Sequence, residues 1–342
     1  MRVVLITGAA GFIGSALVRH LYAKFPDYKI VVLDALTYAG NLDNIPYHIK
    51  HDSKRFEFWQ GDVRNTGLVN SLVERAEIVV HLAASSHVAR SIFDNISFYE
   101  NDVIGTQSMA NAVANHNNVE RFIHMSTSEV YGTACEIPMT EEHPLLPTNP
   151  YASAKCGADR LVYSYWKTYD IPAVIIRSFN VYGCFQHLEK VIPRFITCAL
   201  QDKPLTIHGT GEYTRDWNYV EDTCDALDRV MHAPIETVKG QVINVGTGKD
   251  TSIKVIAEMI LKKLNKPEFL IVHMSGRPGQ LDRHISSTDK SLRLLGWKST
   301  TNFDEGLSKT ILWYQQNKEW WQKIAWMACV PTKNRDGSVE YY

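Results

Sequence analysis

The chain has 342 residues, 45% of them hydrophobic and 21% charged, with a formal net charge of −1. This is ordinary for a globular protein and long for a single hydrophobic core, so one large domain with a lobe, or two domains, is expected. The balanced charge points to neither nucleic acid nor an anionic membrane, and an acidic ligand would have to be met by local arginine and lysine.

No apolar run reaches the roughly 18 residues that a membrane-spanning helix needs. The six cysteines, Cys135, Cys156, Cys184, Cys198, Cys224 and Cys329, form no CxxC pair and have no zinc-like spacing with histidine. Reduced thiols, no metal and a cytoplasmic protein are therefore expected. A strand follows Met1 almost at once, which predicts no signal peptide.

Residues 2–7 are a β-branched apolar run that reads as a buried parallel strand. Gly8-Ala-Ala-Gly11-Phe12-Ile13-Gly14 follows, then a helical apolar pattern through Ala16, Leu17 and Leu21. The first glycine allows a tight turn, the second lets the backbone approach a pyrophosphate, and the third seats the helix close to the sheet. The spacing alone is a weak signal; strand before and helix after make it a dinucleotide turn. Residues 30–33 form the next strand, ended by Asp34 twenty residues past Gly14. A carboxylate there takes the adenosine ribose hydroxyls and repels a 2′-phosphate, favouring NAD over NADP; the alternative is a residue that only caps the strand end. Residues 55–60 lead into Gly61-Asp62-Val63, where Asp62 is placed to accept the adenine amino group. Residues 78–84 form a third clear strand, and Ala83 and Ala84 would let the backbone pass near a cofactor. His87 and Arg90 then either face a substrate or lie on a helix surface. Residues 101–116 read as one long helix with Asn101, Gly105 and Thr106 on its inner side, and residues 121–125 as a further buried strand. The alternation predicts an α/β fold, a Rossmann-like doubly wound parallel sheet.

Thr127, Ser128 and Glu129 sit just beyond that strand, at the sheet edge where such folds hold ligands. A proline-rich loop, residues 144–150, delivers Tyr151 to a helix start, with Lys155 four residues on and on the same face. The ammonium should favour the phenolate, and such a tyrosine can take a sugar hydroxyl's proton while hydride leaves the same carbon. Thr127 is placed to hold that oxygen as charge develops. Glu129 reads either as an acid–base group or as a capping carboxylate.

With these residues in view, the chain resembles the extended short-chain dehydrogenases/reductases, specifically the nucleotide-sugar 4,6-dehydratases. The resemblance runs to about residue 318 and rests on Gly8–Gly14, Asp34-Ala-Leu-Thr-Tyr-Ala-Gly-Asn-Leu42, Ser86-His-Val-Ala-Arg-Ser-Ile92, Ser126-Thr-Ser-Glu-Val-Tyr-Gly132 and Tyr151-x-x-x-Lys155. It implies a smaller C-terminal α/β lobe that binds a nucleotide-diphosphate sugar, and a tightly bound NAD that takes hydride from C4 and returns it to C6. Tyr151 would be the base at the 4-hydroxyl, with Thr127 orienting that oxygen and Lys155 holding the nicotinamide ribose. Glu129 would abstract the C5 proton, and water would leave from C6. The dTDP-glucose-specific members carry Asp-Glu where this chain has Ser128-Glu129, and that aspartic acid protonates the departing hydroxyl. Serine cannot replace it as an acid. GDP-mannose dehydratases use Thr-Ser-Glu, so elimination can proceed without that aspartic acid, the leaving hydroxyl taking its proton from Glu129 or from water held near Ser128. UDP-glucuronate decarboxylases use Thr-Ser-Glu as well, so the motif alone does not choose the reaction. Ser85 and Ala89 also replace usual acidic residues, which implies an altered sugar pocket. The family further implies a homodimer built on the helices of residues 101–116 and 151–169.

Residues 173–177 form a sixth core strand, and Asn180 beyond it suits a sugar or phosphate oxygen. Glu189-Lys190 opens a helix through Leu200 that, by resemblance, meets the nucleotide diphosphate, as Ser86 and His87 meet the substrate. A turn at 209–212 separates two short strands, and Arg215 is the best candidate for a phosphate or base contact. Asp222 is expected to cap the next helix. Residues 241–245 should be a strand, and residues 251–263, 287–295 and 303–321 should hold helices. Arg277 would clamp the pyrophosphate by resemblance, while Arg283 either joins it or pairs with a structural carboxylate. The expected division is an NAD-binding part, 1–178 with parts of 209–245, a nucleotide-sugar lobe, mainly 179–208 and 246–321, and a tail, 322–342, without an assigned role. The reading is an NAD-dependent nucleotide-sugar 4,6-dehydratase, with a UDP-glucuronate decarboxylase and then a 4-epimerase as alternatives. A non-catalytic NAD-binding regulator is opposed by the intact Thr127, Tyr151 and Lys155.

Overall fold

The structure, a computed structural model, describes residues 1–276, 281–333 and 336–341. The apolar runs become β1 (Arg2–Thr7), β2 (Tyr28–Asp34), β3 (Phe56–Gln60), β4 (Ile78–His81), β5 (Arg121–Thr127) and β6 (Ala173–Ser178), joined in one sheet by the strand Val242–Val245. The spatial order is Val242–Val245, β6, β5, β4, β1, β2, β3, with every pairing parallel. The order reverses between β1 and β4, so their carboxyl ends part and open a crevice. The central strands are buried on both faces and need cover on both. Leu17 and Leu21 of helix Phe12–Lys24 join Leu227 and Met231 of helix Val220–His232 on one face. Val69, Met109, Val113 and Val162 cover the other, from helices Thr66–Val73, Gly105–Asn115 and Pro150–Tyr169.

The expected single helix over residues 101–116 is instead a π-helical turn, Tyr99–Ile104, followed by the α-helix Gly105–Asn115. The widened turn brings Asp102 into the interior, where its carboxylate accepts the Ser85 N–H at 2.7 Å. π-Turns of this kind are frequent at functional sites.

A separate apolar cluster, including Phe195, Trp217, Ile256, Ile260, Tyr314 and Trp321, forms the lobe core. Strand Leu205–His208 pairs with Ile271–Met274, whereas Thr214–Tyr219 lies between Asp250–Ser252 and Asn180–Tyr182. The turn at 209–212 thus separates strands of two different sheets. Asp222 does not cap helix Val220–His232, whose N-cap is Tyr219. Its carboxylate accepts bonds from Ser299, Thr300 and Thr301, tying this helix to the loop before helix Phe303–Gln316. The helix expected from residue 251 begins at Ile253, because Thr251 is held in a strand and Ser252 is the cap. The tail forms a hairpin, Pro331–Lys333 with Val339–Tyr341, that packs against helix Val88–Phe93. All six cysteines are free. Among the described residues no helix is long and apolar enough to cross a membrane, and no cluster of side chains could hold a metal.

Candidate active site

The carboxyl ends of the central strands open into one cleft of about 460 Å³ that runs from Gly8 to Arg215 and Ile253 in the lobe. At its floor, Gly8 has φ +70°, and a Cβ there would lie 2.7 Å from the Ala83 backbone. A Cβ on Gly14 would lie 2.5 Å from the Gly8 carbonyl oxygen. Both glycines are therefore fixed by close backbone approach. Helix Phe12–Lys24 starts from Gly11 with no side-chain cap and no acidic residue in its first turn. The Gly11 N–H donates to the Gly8 carbonyl, and the first residues of the helix, Phe12, Ile13 and Gly14, line the cleft, a ready anion site. The Asp34 carboxylate, at the end of β2, accepts the N–H groups of Ala10 (2.9 Å) and Leu36 (2.8 Å). Burial raises its pKa, opposed by those two bonds, and the residue lines the cleft. Ala83 and Ala84 line the opposite wall. A glycine cradle, a helix N-terminus and a carboxylate at the β2 end fit the adenosine diphosphate half of a dinucleotide. Asp62 and Val63 do not join them: neither lines the cleft, and the Asp62 carboxyl is held by Arg64 at 2.7 Å, which keeps it below the ordinary range.

Thr127, Ser128, Glu129, Tyr151 and Lys155 all line the middle of the cleft. Thr127 ends β5, and its hydroxyl accepts the Glu129 N–H at 3.2 Å, shaping the turn Ser128–Tyr131. Asn149 caps helix Pro150–Tyr169 through the Ala152 N–H, with proline in the first turn, which fixes Tyr151 at the helix entrance. Asn149 also donates to Glu129 at 3.5 Å. Lys155 donates to the Met125 carbonyl at 2.6 Å. The expectation of an acidified tyrosine needs correction. Burial raises the Tyr151 pKa, the bond to Thr127 opposes this, and the Asp102 and Glu129 charges add to the rise. The Lys155 ammonium is anchored on a carbonyl and itself weakened by burial, so the resting phenol is neutral.

A buried polar group that the sequence did not reveal, His81, Thr106 and Asp102, acts on these residues. Thr106 donates to the Asp102 carbonyl at 2.5 Å, so His81 Nε2–H donates to Thr106 (3.1 Å) and His81 Nδ1 accepts from Thr7 (2.7 Å). Burial, with the Lys155 charge, pushes His81 down to about 3. Burial pushes the Asp102 carboxyl up to about 7. His284 was also missed. It is fully buried, its Nδ1 lies 3.4 Å from Ser128 Oγ, and its Nε2 lies 2.5 Å from the Gly132 carbonyl.

Ser86, His87, Asn180, Glu189, Lys190 and Arg215 also line the cleft. Lys190 donates to the Ser86 carbonyl at 2.5 Å and Arg215 to the Thr214 carbonyl at 2.8 Å. Glu189 accepts from Tyr38 (2.9 Å) and Arg90 (2.8 Å). Burial would raise its pKa, but His87, Lys190, His187 and Arg90 outweigh it and hold the carboxyl at about 2. Arg90 does not line the cleft; its guanidinium grips Glu189 and stacks 4.2 Å over the Tyr38 ring. Arg283 pairs with Asp250 at 2.7 Å, the structural alternative of its two readings. Arg277 lies outside the described residues. Arg194, four positions after Lys190, also lines the cleft, and its helical spacing was the available signal.

A family model described as GDP-mannose 4,6 dehydratase matches residues 5–310. The chain is 40% identical to the trifunctional UDP-glucose 4,6-dehydratase/UDP-4-keto-6-deoxy-D-glucose 3,5-epimerase/UDP-4-keto-L-rhamnose-reductase RHM2 of Arabidopsis thaliana, over 94% of this chain and 48% of that protein. The chain thus spans about half the length of that relative. It is 41% identical to the low-salt glycan biosynthesis protein Agl12 of Haloferax volcanii, over 92% of this chain and 99% of that protein. The crystal structure of DesIV, a dTDP-glucose 4,6-dehydratase from Streptomyces venezuelae with NAD and TYD bound, superposes with a TM-score of 0.90 at 35% identity, covering 94% of this chain and 99% of that one.

Proposed function

The chain belongs to the nucleotide-sugar 4,6-dehydratase family of extended short-chain dehydrogenases/reductases, and we propose that it converts an NDP-hexose to the NDP-4-keto-6-deoxyhexose with a resident NAD. The observation that carries this reading is the meeting of Thr127, Glu129, Tyr151 and Lys155 in the one cleft that also holds the glycine cradle and Asp34. Bound NAD would supply the hydride acceptor for C4 of the sugar and the hydride donor for C6. Gly8, Gly11, Gly14 and Asp34 hold its adenosine diphosphate half, and Lys155 takes the ribose nearer the chemistry. Tyr151, once its own phenolic proton has passed to solvent, takes the proton of the 4-hydroxyl as the phenolate, and Thr127 bonds the same oxygen. Because burial disfavours the phenolate, this transfer needs positive charge beyond the resting Lys155. Glu129 removes the C5 proton once the 4-keto group has acidified it, and returns it after water has left. Asn180, Glu189, Lys190 and Arg215 bind the nucleotide-diphosphate sugar on the lobe side.

A UDP-glucuronate decarboxylase would need a cation at the sugar carboxylate. Arg90 and Arg283, the candidates for that role, are each paired with a protein carboxylate, which favours dehydration. The test is to incubate the purified protein with UDP-glucose, dTDP-glucose, GDP-mannose and UDP-glucuronate and read product masses. Loss of one water from a hexose is expected; loss of carbon dioxide from UDP-glucuronate alone overturns the reading. The family resemblance also supports a cytoplasmic homodimer, for which Ile104 and Tyr169, 50% and 61% exposed on the two expected helices, supply apolar surface.

A further inference from the structure

We propose that Ser128 and His284 form a two-member relay that delivers a proton to the departing C6 hydroxyl, with His284 acting through the serine. The inference rests on the dehydratase reading above and deepens it. It answers a deficit in the site: elimination needs an acid at C6, and the residue beside Glu129 is a serine.

Ser128 is 1% exposed yet lines the cleft between Thr127 and Glu129, while His284 lies behind it and does not reach the cleft. The histidine is held by its backbone. Its N–H donates to the Thr214 carbonyl at 3.2 Å, and the carbonyl of Ile285 accepts the Met139 N–H at 2.9 Å. Its ring meets Phe179 edge-on. The Gly132 carbonyl can only accept, so Nε2 carries a hydrogen in every protonation state. Nδ1, the nitrogen facing Ser128 Oγ, is therefore the one that gains and loses a proton.

The groups around the ring divide. Burial, Arg215 and His143 disfavour the charged form; Glu129 and the Gly132 carbonyl favour it, and the balance lies below the ordinary histidine value. When His284 is neutral, Nδ1 accepts the serine hydrogen and Ser128 can only accept from the sugar. When His284 is doubly protonated, Nδ1–H donates to Oγ and frees the serine hydrogen for the leaving oxygen. In that state the C5–H bond breaks with its proton to Glu129, and the C6–O bond breaks with its electron pair to oxygen. The Oγ proton passes to that oxygen to make water, and the Nδ1 proton passes to Oγ. His284 ends neutral and regains a proton from solvent before the next turnover, which balances the 4-hydroxyl proton that Tyr151 releases.

The test uses the NAD-loaded enzyme and whichever of UDP-glucose or dTDP-glucose the wild type dehydrates. His284→Phe and Ser128→Ala should still oxidise C4, seen as near-ultraviolet absorbance of reduced cofactor, while water loss slows by about a hundredfold or more. The corresponding 6-deoxy-6-fluoro sugar, whose fluoride leaves without a proton, should restore elimination to near the wild-type rate. Wild-type water loss should fall as pH rises, and His284→Phe should flatten that profile. Ser128→Asp should restore water loss in the His284→Phe background, which guards against a merely misfolded single variant. Wild-type water loss in His284→Phe, or a slow variant that the fluoro sugar fails to rescue, overturns the relay. Failure of the dehydratase reading looks different: the wild type itself would release no water from any hexose.

Discussion

Asp102 carries its proton at a higher pH than any exposed carboxyl would, and the reason is local. The π-turn places it in the interior, where one oxygen accepts from Ser85 and Asn101 and the other has no partner. Burial pushes its pKa up to about 7, against an ordinary 3.8. Between those two values the folded protein holds a proton that the unfolded chain has released. Stability should therefore fall as pH rises through that window, by an amount on the order of a few kcal/mol. Asp102→Asn keeps the shape and removes the titration. Urea midpoints at pH 5 and pH 8 should differ less in Asp102→Asn than in the wild type, and an equal pH dependence in both would show that Asp102 is ionised throughout. The same residue bears on catalysis, because an ionised Asp102 raises the Tyr151 pKa further. Tyr151 therefore gives up its proton with less opposition when Asp102 is protonated than when it is ionised.

The elements that place the site were legible where the determinant is local. β-Branched runs buried on both faces announced the central strands, Gly8 and Gly14 announced the turn, and Tyr151 with Lys155 declared a shared helical face. What stayed hidden depends on partners far along the chain. His284 is 156 residues from Ser128, and Arg90 reads equally as a substrate residue or a helix-surface residue until Glu189, 99 residues away, is seen to occupy it. Asp222 looked like a cap because its true partners begin 77 residues later. The acidity of Tyr151 was misjudged for a related reason: sequence shows the neighbouring charge and conceals the burial. The same long-range logic joins helix Pro150–Tyr169 to the sheet. Asp159 on that helix accepts from Arg177 Nε on β6 (2.9 Å) and from Ser126 on β5 (2.7 Å), all three groups buried. Burial alone would raise the Asp159 pKa, but Arg177 outweighs it and the carboxyl lies below its ordinary value. Asp159→Asn would leave the Arg177 charge buried without its counter-ion, at a cost of about 3–5 kcal/mol. Since the folded pKa is depressed, the pair stabilises the fold above the unfolded carboxyl pKa, and that stability is lost as pH falls through the folded value. Urea denaturation should show a large gap between wild type and Asp159→Asn at pH 7 that narrows at pH 3. An equal gap at both values would mean that the ion pair is not its source.

At the scale of the molecule, the cleft is bounded by a parallel sheet with its own cores and by a lobe with a separate one, so substrate grip depends on what bridges them. The tail is placed to do this. Its hairpin backs helix Val88–Phe93, whose N-cap is His87 and whose entry, Ser86 to Val88, lines the cleft. On the other side Glu340 accepts from Ser275, in the lobe segment that follows strand Ile271–Met274. The tail therefore ties a cleft-lining element of the sheet domain to the lobe, while the dinucleotide turn at Gly8–Gly14 lies on separate elements. This asymmetry makes a specific prediction. Removing residues 331–342 deletes the hairpin and spares Val330, which is fully buried. The nucleotide-sugar KM should rise by roughly three- to tenfold, as for other elements that close over a bound substrate, with NAD content and the C4 oxidation rate at saturation little changed. Steady-state kinetics of the truncated enzyme, with cofactor content measured after denaturation, separate the two effects. An unchanged KM would show that the hairpin does not brace the cleft, and loss of NAD would show that it supports the dinucleotide turn instead.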